Sequence, residues 1–140
     1  RVIVVDTGPL LAAADADDNL HSIAVEFFDT HPAADLVVPA TVATETSWLI
    51  EDRLDPTTEA AFILSIATGR LAVAELTKPD YLRCAELVAN YNDLGLGLVD
   101  ASVIAIAERL GVTTLATFNE RDFRVVRPTH IDAFTLVPQR

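Results

Sequence analysis

Short runs of β-branched residues alternate along this chain with longer segments of helical periodicity. The clearest runs cover residues 2–5 and 112–117, and weaker ones cover residues 36–38, 71–74 and 134–137. A short continuous apolar run is typical of a strand that is covered on both faces of a parallel sheet. The alternation of such strands with helices predicts an α/β domain with a central parallel sheet.

Helices are predicted between these strands. One begins near Pro9, because Gly8 permits a tight turn after Asp6 and proline suits the first turn of a helix. Thr41 is the predicted N-cap of another helix, on which Glu45 shares one face with apolar neighbours. Those neighbours are Val42, Trp48 and Leu49. This face is expected to be buried. Further helices are predicted over residues 19–30, 57–68 and 79–91.

The last third of the chain has the clearest pattern. Apolar residues recur there at helical spacing, at Val99, Val103, Ile106 and Leu110. Gly111 is a natural stop for this helix, and a strand follows it. The polar segment 118–123 is predicted to be a loop.

The composition limits the possible architectures. A chain of 140 residues fits one domain, residues 1–140. It is 51% hydrophobic, with a mean hydropathy of +0.33. This is apolar enough to suggest that a second copy or another chain covers part of the surface, so a homodimer is expected. No apolar run is long enough for a membrane span or a signal peptide, and a cytoplasmic protein is expected.

Charge and cysteine content add two constraints. The formal net charge is -11, so general electrostatic attraction does not explain binding to nucleic acid. Divalent cations and locally gathered basic residues would have to supply it. The single cysteine, Cys84, is expected to be a buried apolar residue in a reducing compartment. The three histidines are scattered and are assigned to the surface, and no zinc site is expected: His21, His31 and His130.

Acidic residues stand at the places where a parallel sheet binds ligands, outside the carboxyl ends of its strands. Asp6 ends the first strand, Asp100 lies in the first turn of a helix, and Asp122 lies in the polar loop after a strand. Glu45 joins them if its helix crosses the same edge. A carboxylate on an apolar helix face is costly unless something compensates it, so Glu45 is the hardest of the four to explain structurally.

Each of these acids also has an ordinary explanation. Asp6 is equally suited to capping the helix that begins near Pro9, and Asp100 to meeting the helix dipole. Asp122 is also compatible with a solvated loop position. Carboxylates within roughly 4 to 6 Å of one another would repel by a few kcal/mol. Such a cluster would take up protons or bind a hard divalent cation.

The residues resemble the PIN-domain nucleases, particularly the VapC-type toxins of bacterial toxin–antitoxin pairs. The resemblance rests on VIVVDTGPLLA, on the glutamate in VATETSWLI, on LVDASVIAIAERLG and on TFNERDFRVVRP. These motifs cover almost the whole chain in order. The resemblance implies a three-layer α/β/α fold with four to five parallel strands, a Mg²⁺- or Mn²⁺-dependent ribonuclease activity on transfer or ribosomal RNA, and inhibition by a VapB-like antitoxin.

By position, the resemblance assigns metal binding to Asp6, Glu45 and Asp100. Many relatives have aspartate where this chain has Asn119, which contributes no charge to a metal. Asp122, in the RDF sequence, is the preferred substitute for the fourth acid, and Glu120 is the alternative. This departure puts a second metal position in doubt.

The mechanism expected from such a site is attack on the phosphodiester by a metal-activated water, without a covalent intermediate. Thr7 and Ser102 are candidates for orienting water or phosphate, and capping roles suit them equally. Asn119 is placed with the substrate-binding residues. Three arginines beyond the site are candidates for contacting phosphate, and solvated positions suit them equally: Arg121, Arg124 and Arg127.

Two other functions remain open at this point. A receiver-like or phosphatase-like domain also places an aspartate after a buried strand, but the only lysine, Lys78, lies outside any expected strand end. A module that binds an antitoxin or RNA without cleaving it is the other alternative, since Asn119 departs from the family pattern.

Overall fold

The computed structural model describes all 140 residues and contains one parallel sheet. Its strands are β1 (Ile3–Val5), β2 (Leu36–Pro39), β3 (Ala72–Ala74), β4 (Thr114–Ala116) and β5 (Thr135–Val137). The strand order is β3-β2-β1-β4-β5, and every neighbouring pair is parallel. Five parallel strands agree with the expected fold class, including the edge strand near the end of the chain.

Seven α-helices surround the sheet in a three-layer α/β/α arrangement. They are α1 (Thr7–Ala14), α2 (His21–Thr30), α3 (Ala40–Arg53), α4 (Pro56–Ala67), α5 (Lys78–Asn90), α6 (Leu98–Leu110) and α7 (Glu120–Val125). Helix α1 packs on α2 and α3, α3 packs on α4 and α6, and α5 packs on α6. No helix in this fold combines the length and the apolar character that a membrane crossing requires.

The core lies between the central strands and α6. Val4, Val5 and Leu115 are completely buried, as expected for strands that are covered on both faces. Every residue of α6 from Ala101 to Ala107 is buried as well. This helix therefore lies inside the domain, which holds its first turn in a fixed position against the sheet. Cys84 is also in the core, as expected.

The strand order changes direction next to β1. From β1 the chain adds β2 and β3 on one side, and it later adds β4 and β5 on the other. The loops after β1 and β4 therefore leave the sheet in opposite directions and open a crevice at the carboxyl edge. The residues that follow these two strands, Asp6 and Thr117, lie at this crevice.

Two predictions about the first half of α3 were wrong. The helix begins at Ala40 with Pro39 at the N-cap position, so Thr41 lies inside the helix, where its hydroxyl contacts Ser102. The face that carries Glu45 is only partly buried. Val42 is fully buried, but Trp48 is 59% exposed and lines an open cleft between α3 and α4.

In the last third, α6 ends at Leu110 with Gly111 as its C-cap, as predicted, but one prediction was wrong. The segment 118–123, predicted to be a loop, contains the start of α7. The side chain of Asn119 accepts a hydrogen bond from the backbone of Asp122 and caps this helix, and Phe123 holds it to the core.

The histidines are partly buried rather than free on the surface. A ring nitrogen of each one lies within hydrogen-bond distance of a backbone carbonyl. The carbonyl belongs to Ala12 for His21, to Phe27 for His31 and to Val112 for His130. These contacts give all three a structural role.

Candidate acidic site at the carboxyl edge of the sheet

Asp6 occupies the centre of the crevice, directly after β1. Its backbone N–H donates to the carbonyl of Ala116 at 2.8 Å, which fixes the end of β1 against β4. Its carboxylate accepts a 2.7 Å hydrogen bond from the Thr117 hydroxyl, and both side chains are buried. Asp6 makes no side-chain cap hydrogen bond to α1. Asp6 occupies the N-cap position, but its carboxylate is held by Thr117 rather than used to cap the helix.

Burial raises the pKa of Asp6, and the negative charge of Glu45 raises it further. Hydrogen bonds from the Thr117 side chain and the Thr7 backbone oppose this effect without cancelling it. The ionised form of Asp6 is therefore disfavoured unless a positive charge compensates it.

Glu45 reaches the same crevice from α3. The Thr7 hydroxyl donates to its Oε1 at 2.7 Å, across 38 positions of sequence. This contact holds the glutamate against the start of α1, next to Asp6. Thr7 thus positions an acidic residue, a role that is compatible with its predicted place in the site.

Asp100 lies in the first turn of α6, where the negative charges of three other acids act on it. Burial raises its pKa to about 6, and the charges of Asp6, Glu45 and Asp122 contribute in that order. No hydrogen bond contributes to lowering this pKa. The fold therefore leaves the Asp100 carboxylate without internal compensation, although it lies at the favourable end of a helix.

Asp122 belongs to the group but is compensated. Burial raises its pKa, and hydrogen bonds from Asn119 and Arg121 outweigh this effect, so the net shift is downward. Asn119 Nδ2 donates to Oδ2 at 3.1 Å, and Arg121 Nε donates to Oδ1 at 3.0 Å. Asp122 is thus held as a carboxylate even without a cation. Glu120, the other candidate for the fourth acid, pairs with Arg124 at 3.4 Å instead.

Ser102 does not face the crevice. It is fully buried, and its hydroxyl donates to the carbonyl of Val99 at 2.6 Å and contacts the Thr41 hydroxyl. The hydroxyl ties α6 to α3 and is inaccessible to a substrate. The prediction that Ser102 contacts substrate is therefore wrong, and the residue is structural.

Thr117 belongs to the site but was not predicted to do so from the sequence. Its hydroxyl donates to Asp6 and accepts a 3.0 Å hydrogen bond from the backbone of Asn119. It therefore links the end of β1 to the segment that carries Asp122. The available signal was its position as a polar residue at the end of a buried strand, directly before the polar segment 118–123.

The carboxylate oxygens of the four acids are the kind of ligand that a hard divalent cation prefers, but they do not form a complete coordination sphere. No three His, Cys, Asp or Glu side chains are gathered tightly enough to form a ready-made metal site. Mg²⁺ uses only one or two direct carboxylates together with water, so a site for it does not require three gathered acids. Oxygen donors with raised pKa values at Asp6 and Asp100 match this preference.

Comparison with known proteins agrees with the motifs. The PIN domain family matches residues 3–127. Ribonuclease VapC26 of Mycobacterium tuberculosis is 30% identical over 136 residues, which cover 97% of this chain and 100% of that protein.

Two solved structures share the fold. The M. tuberculosis VapC20 structure, of a sarcin-ricin loop cleaving toxin, has a TM-score of 0.81 at 21% identity, covering 93% of this chain and 98% of that one. VapBC2 from Rickettsia felis, bound to a DNA fragment from its promoter, has a TM-score of 0.67 at 16% identity and covers 98% of both chains. This chain belongs to the PIN domain family.

Proposed function

We propose that this chain is an endoribonuclease that hydrolyses RNA phosphodiester bonds with the help of Mg²⁺ or Mn²⁺. The observation that carries the proposal is the convergence of uncompensated negative charge on Asp100, whose pKa is raised to about 6 by burial and three neighbouring acids. The similarity to a protein named as a ribonuclease supports the choice of RNA as substrate.

Asp6, Glu45 and Asp100 are the residues that would hold the ion, with Asp122 as the fourth acid. When bound, such an ion supplies Lewis-acid stabilisation at the phosphate and lowers the pKa of a coordinated water. Asp122 differs from the other three because Asn119 and Arg121 already donate to its two oxygens. Its contribution is therefore mainly negative charge at the edge of the site.

The remaining residues of the site orient these acids. The Thr117 hydroxyl fixes the rotation of the Asp6 carboxylate, and the Thr7 hydroxyl does the same for Glu45. Arg121 and Arg124 expose 78% and 66% of their side chains next to the crevice. They are proposed to contact the phosphates that flank the cleaved bond, after exchanging their present carboxylate partners for the RNA backbone.

We further propose that the chain is the toxin of a VapBC-type pair, inhibited by a VapB-like antitoxin, and that it forms a homodimer. Toxin–antitoxin complexes from R. felis and Klebsiella pneumoniae share its fold. Large apolar side chains are exposed on α3, α4 and α5: Trp48, Ile63, Leu64, Tyr81 and Leu82. An apolar cleft of about 590 Å³ lies between α1, α2 and α4. These surfaces are the ones that partner chains would cover.

RNA cleavage by the purified chain tests the proposed activity. Transfer RNA and ribosomal RNA would be incubated with the protein and Mn²⁺, and cleaved ends would be quantified for the wild type and Asp100→Asn. We expect the variant to lose activity on the order of 100-fold or more, the scale seen when a preorganised electrostatic group is removed.

Asp132→Asn is the matched control. Asp132 is exposed in the loop before β5, at the opposite edge of the sheet, and its removal should leave cleavage unchanged. Absence of cleavage by the wild type at saturating Mn²⁺ would contradict the proposal and favour a module that only binds RNA or a partner.

A further inference from the structure

Arg140 is anchored on Phe118, in the segment between Thr117 and Asn119, although it is far from that segment in sequence. It donates a 2.9 Å hydrogen bond from Nη2 to the carbonyl of Phe118, and its guanidinium carbon lies 5.7 Å from the centre of the Phe118 ring. Strand β5 is parallel to β4 and ends at Val137. The segment that follows therefore leaves the sheet at the carboxyl edge, where the acidic residues are.

Phe118 connects this arginine to both acid-bearing segments. It lies between Thr117, which donates to Asp6, and Asn119, which donates to Asp122. Its ring also lies against Gly8, where a Cβ would come within 3.4 Å of Phe118 Cδ2. A side chain that is anchored on Phe118 is therefore held at the rim of the crevice.

The guanidinium of Arg140 has no carboxylate partner, unlike those of Arg121 and Arg124, which flank Asp122. Arg121 pairs with Asp122, and Arg124 pairs with Glu120. Arg140 has no carboxylate oxygen within the 4.0 Å limit of an ion pair. It lines a cavity of about 470 Å³ with Asn19, Leu20 and two aspartates, Asp17 and Asp18, neither of which is within ion-pair distance of its guanidinium.

We infer that Arg140 is a substrate-binding residue that holds a phosphate of the RNA strand next to the cleaved bond. This inference rests on the proposed ribonuclease function. The Phe118 carbonyl takes up one Nη2 donor, which leaves Nε and Nη1 for phosphate oxygens. Packing on an aromatic ring fixes the guanidinium in advance and reduces the entropy that binding would cost. A cation held in this way offsets local repulsion between phosphate and a chain of net charge -11.

The test compares Arg140→Gln with Arg53→Gln in RNA cleavage at several salt concentrations. Arg53 is exposed, makes no ion pair and ends α3, about 20 Å along the helix axis from its first residue. We expect Arg140→Gln to raise KM roughly three- to tenfold with kcat nearly unchanged. The slope of log kcat/KM against log salt should fall by about 0.7, as for one lost phosphate contact on a single strand. Arg140→Lys should restore part of the affinity, and Arg53→Gln should behave as wild type.

A merely structural role for Arg140 gives a different result. If the arginine only secures the segment after β5 to Phe118, Arg140→Gln should lower the melting temperature and leave both KM and the salt slope unchanged. That outcome, or wild-type values throughout, would overturn the inference.

Failure of this inference can be separated from failure of the proposed function. Binding of a fluorescently labelled single-stranded RNA would be measured with Mn²⁺ in an Asp100→Asn background, with and without Arg140→Gln. If the wild type cleaves RNA but Arg140→Gln changes neither binding nor salt slope, only the inference fails. If the wild type does not cleave RNA but Arg140→Gln still weakens RNA binding and reduces its salt dependence, the phosphate contact is supported and the ribonuclease function is not.

Discussion

At the scale of the single residue, Asp100 is the side chain whose electrostatic environment points most clearly to a bound cation. It lies in the first turn of a buried helix, and the fold places three other acids near it without supplying a hydrogen bond to offset the repulsion. A residue selected for stability alone would not be kept in this state. Asp122, three residues after Asn119, is the contrasting case, because N–H groups donate to both of its carboxylate oxygens and offset its negative charge.

The first prediction is that Asp100→Asn stabilises the metal-free protein. The pKa of Asp100 in the folded chain, about 6, lies above its ordinary value of 3.8. Stability therefore falls as pH rises from about 4 through 6, and the full penalty is present above that window. The variant should gain about 1 to 2 kcal/mol at neutral pH, after a discount for the partial exposure of the side chain.

Urea unfolding in the presence of EDTA, at about pH 7.5 and pH 4.5, measures this gain. It should be clearly smaller at the lower pH, where the folded wild type has taken up the proton. Asp132→Asn provides the exposed control and should show no such difference. A loss of stability of equal size at both pH values would refute the electrostatic account of Asp100.

The elements could be predicted from sequence to the extent that they carry a repeating pattern. Strand β1 and the long helix α6 have continuous or periodic apolar residues, and both were placed within one or two positions. Helix α7 has six residues, too few to display a period, and its polar composition concealed it. The exposure of Trp48 was also unpredictable, because it depends on which elements pack against the outer side of α3.

The second prediction concerns the cap of α7. Asn119→Ala removes the hydrogen bond to the Asp122 backbone and should lower the free energy of unfolding by about 1 kcal/mol. It also removes the donor to Asp122 Oδ2, so the carboxylate should move and Mn²⁺ binding should weaken. Urea unfolding and Mn²⁺ titration measure the two effects.

Thr77→Ala is a matched control for this prediction. Thr77 caps α5 through a capping box with Asp80, outside the acidic site. Its loss should reduce stability to a similar degree and leave Mn²⁺ binding unchanged. Wild-type Mn²⁺ binding by Asn119→Ala would show that α7 does not position the fourth acid.

At the scale of the whole molecule, the topology assembles a site that no local segment contains. The 2.7 Å contact between Thr117 and Asp6 joins residues 111 positions apart, across the point where the strand order reverses. Asp6, Asp100 and Asp122 were predictable because each follows a strand or lies in the first turn of a helix, and Glu45 because it is a carboxylate on an apolar helix face. The place of Thr117 at the end of a buried strand was a signal for the site, but its partner Asp6 could not be inferred from its own neighbourhood. Arg140 was missed for the same reason.

The concentration of negative charge explains how an acidic protein is compatible with a phosphate substrate. The net charge of -11 would repel RNA in general, and under the proposed function a cation bound in the crevice would reverse the local field. Metal binding is therefore the step on which every other part of the account depends.

Calorimetric titration of the metal-free protein with Mn²⁺ at neutral pH tests that step most directly. We predict saturable binding that is abolished or weakened at least tenfold in both Asp6→Asn and Asp100→Asn and retained in Asp132→Asn, the scale expected when a group that supports a metal site is lost. Saturable binding of equal strength in all four proteins, or no binding by the wild type, would contradict a shared cation site at the carboxyl edge of the sheet.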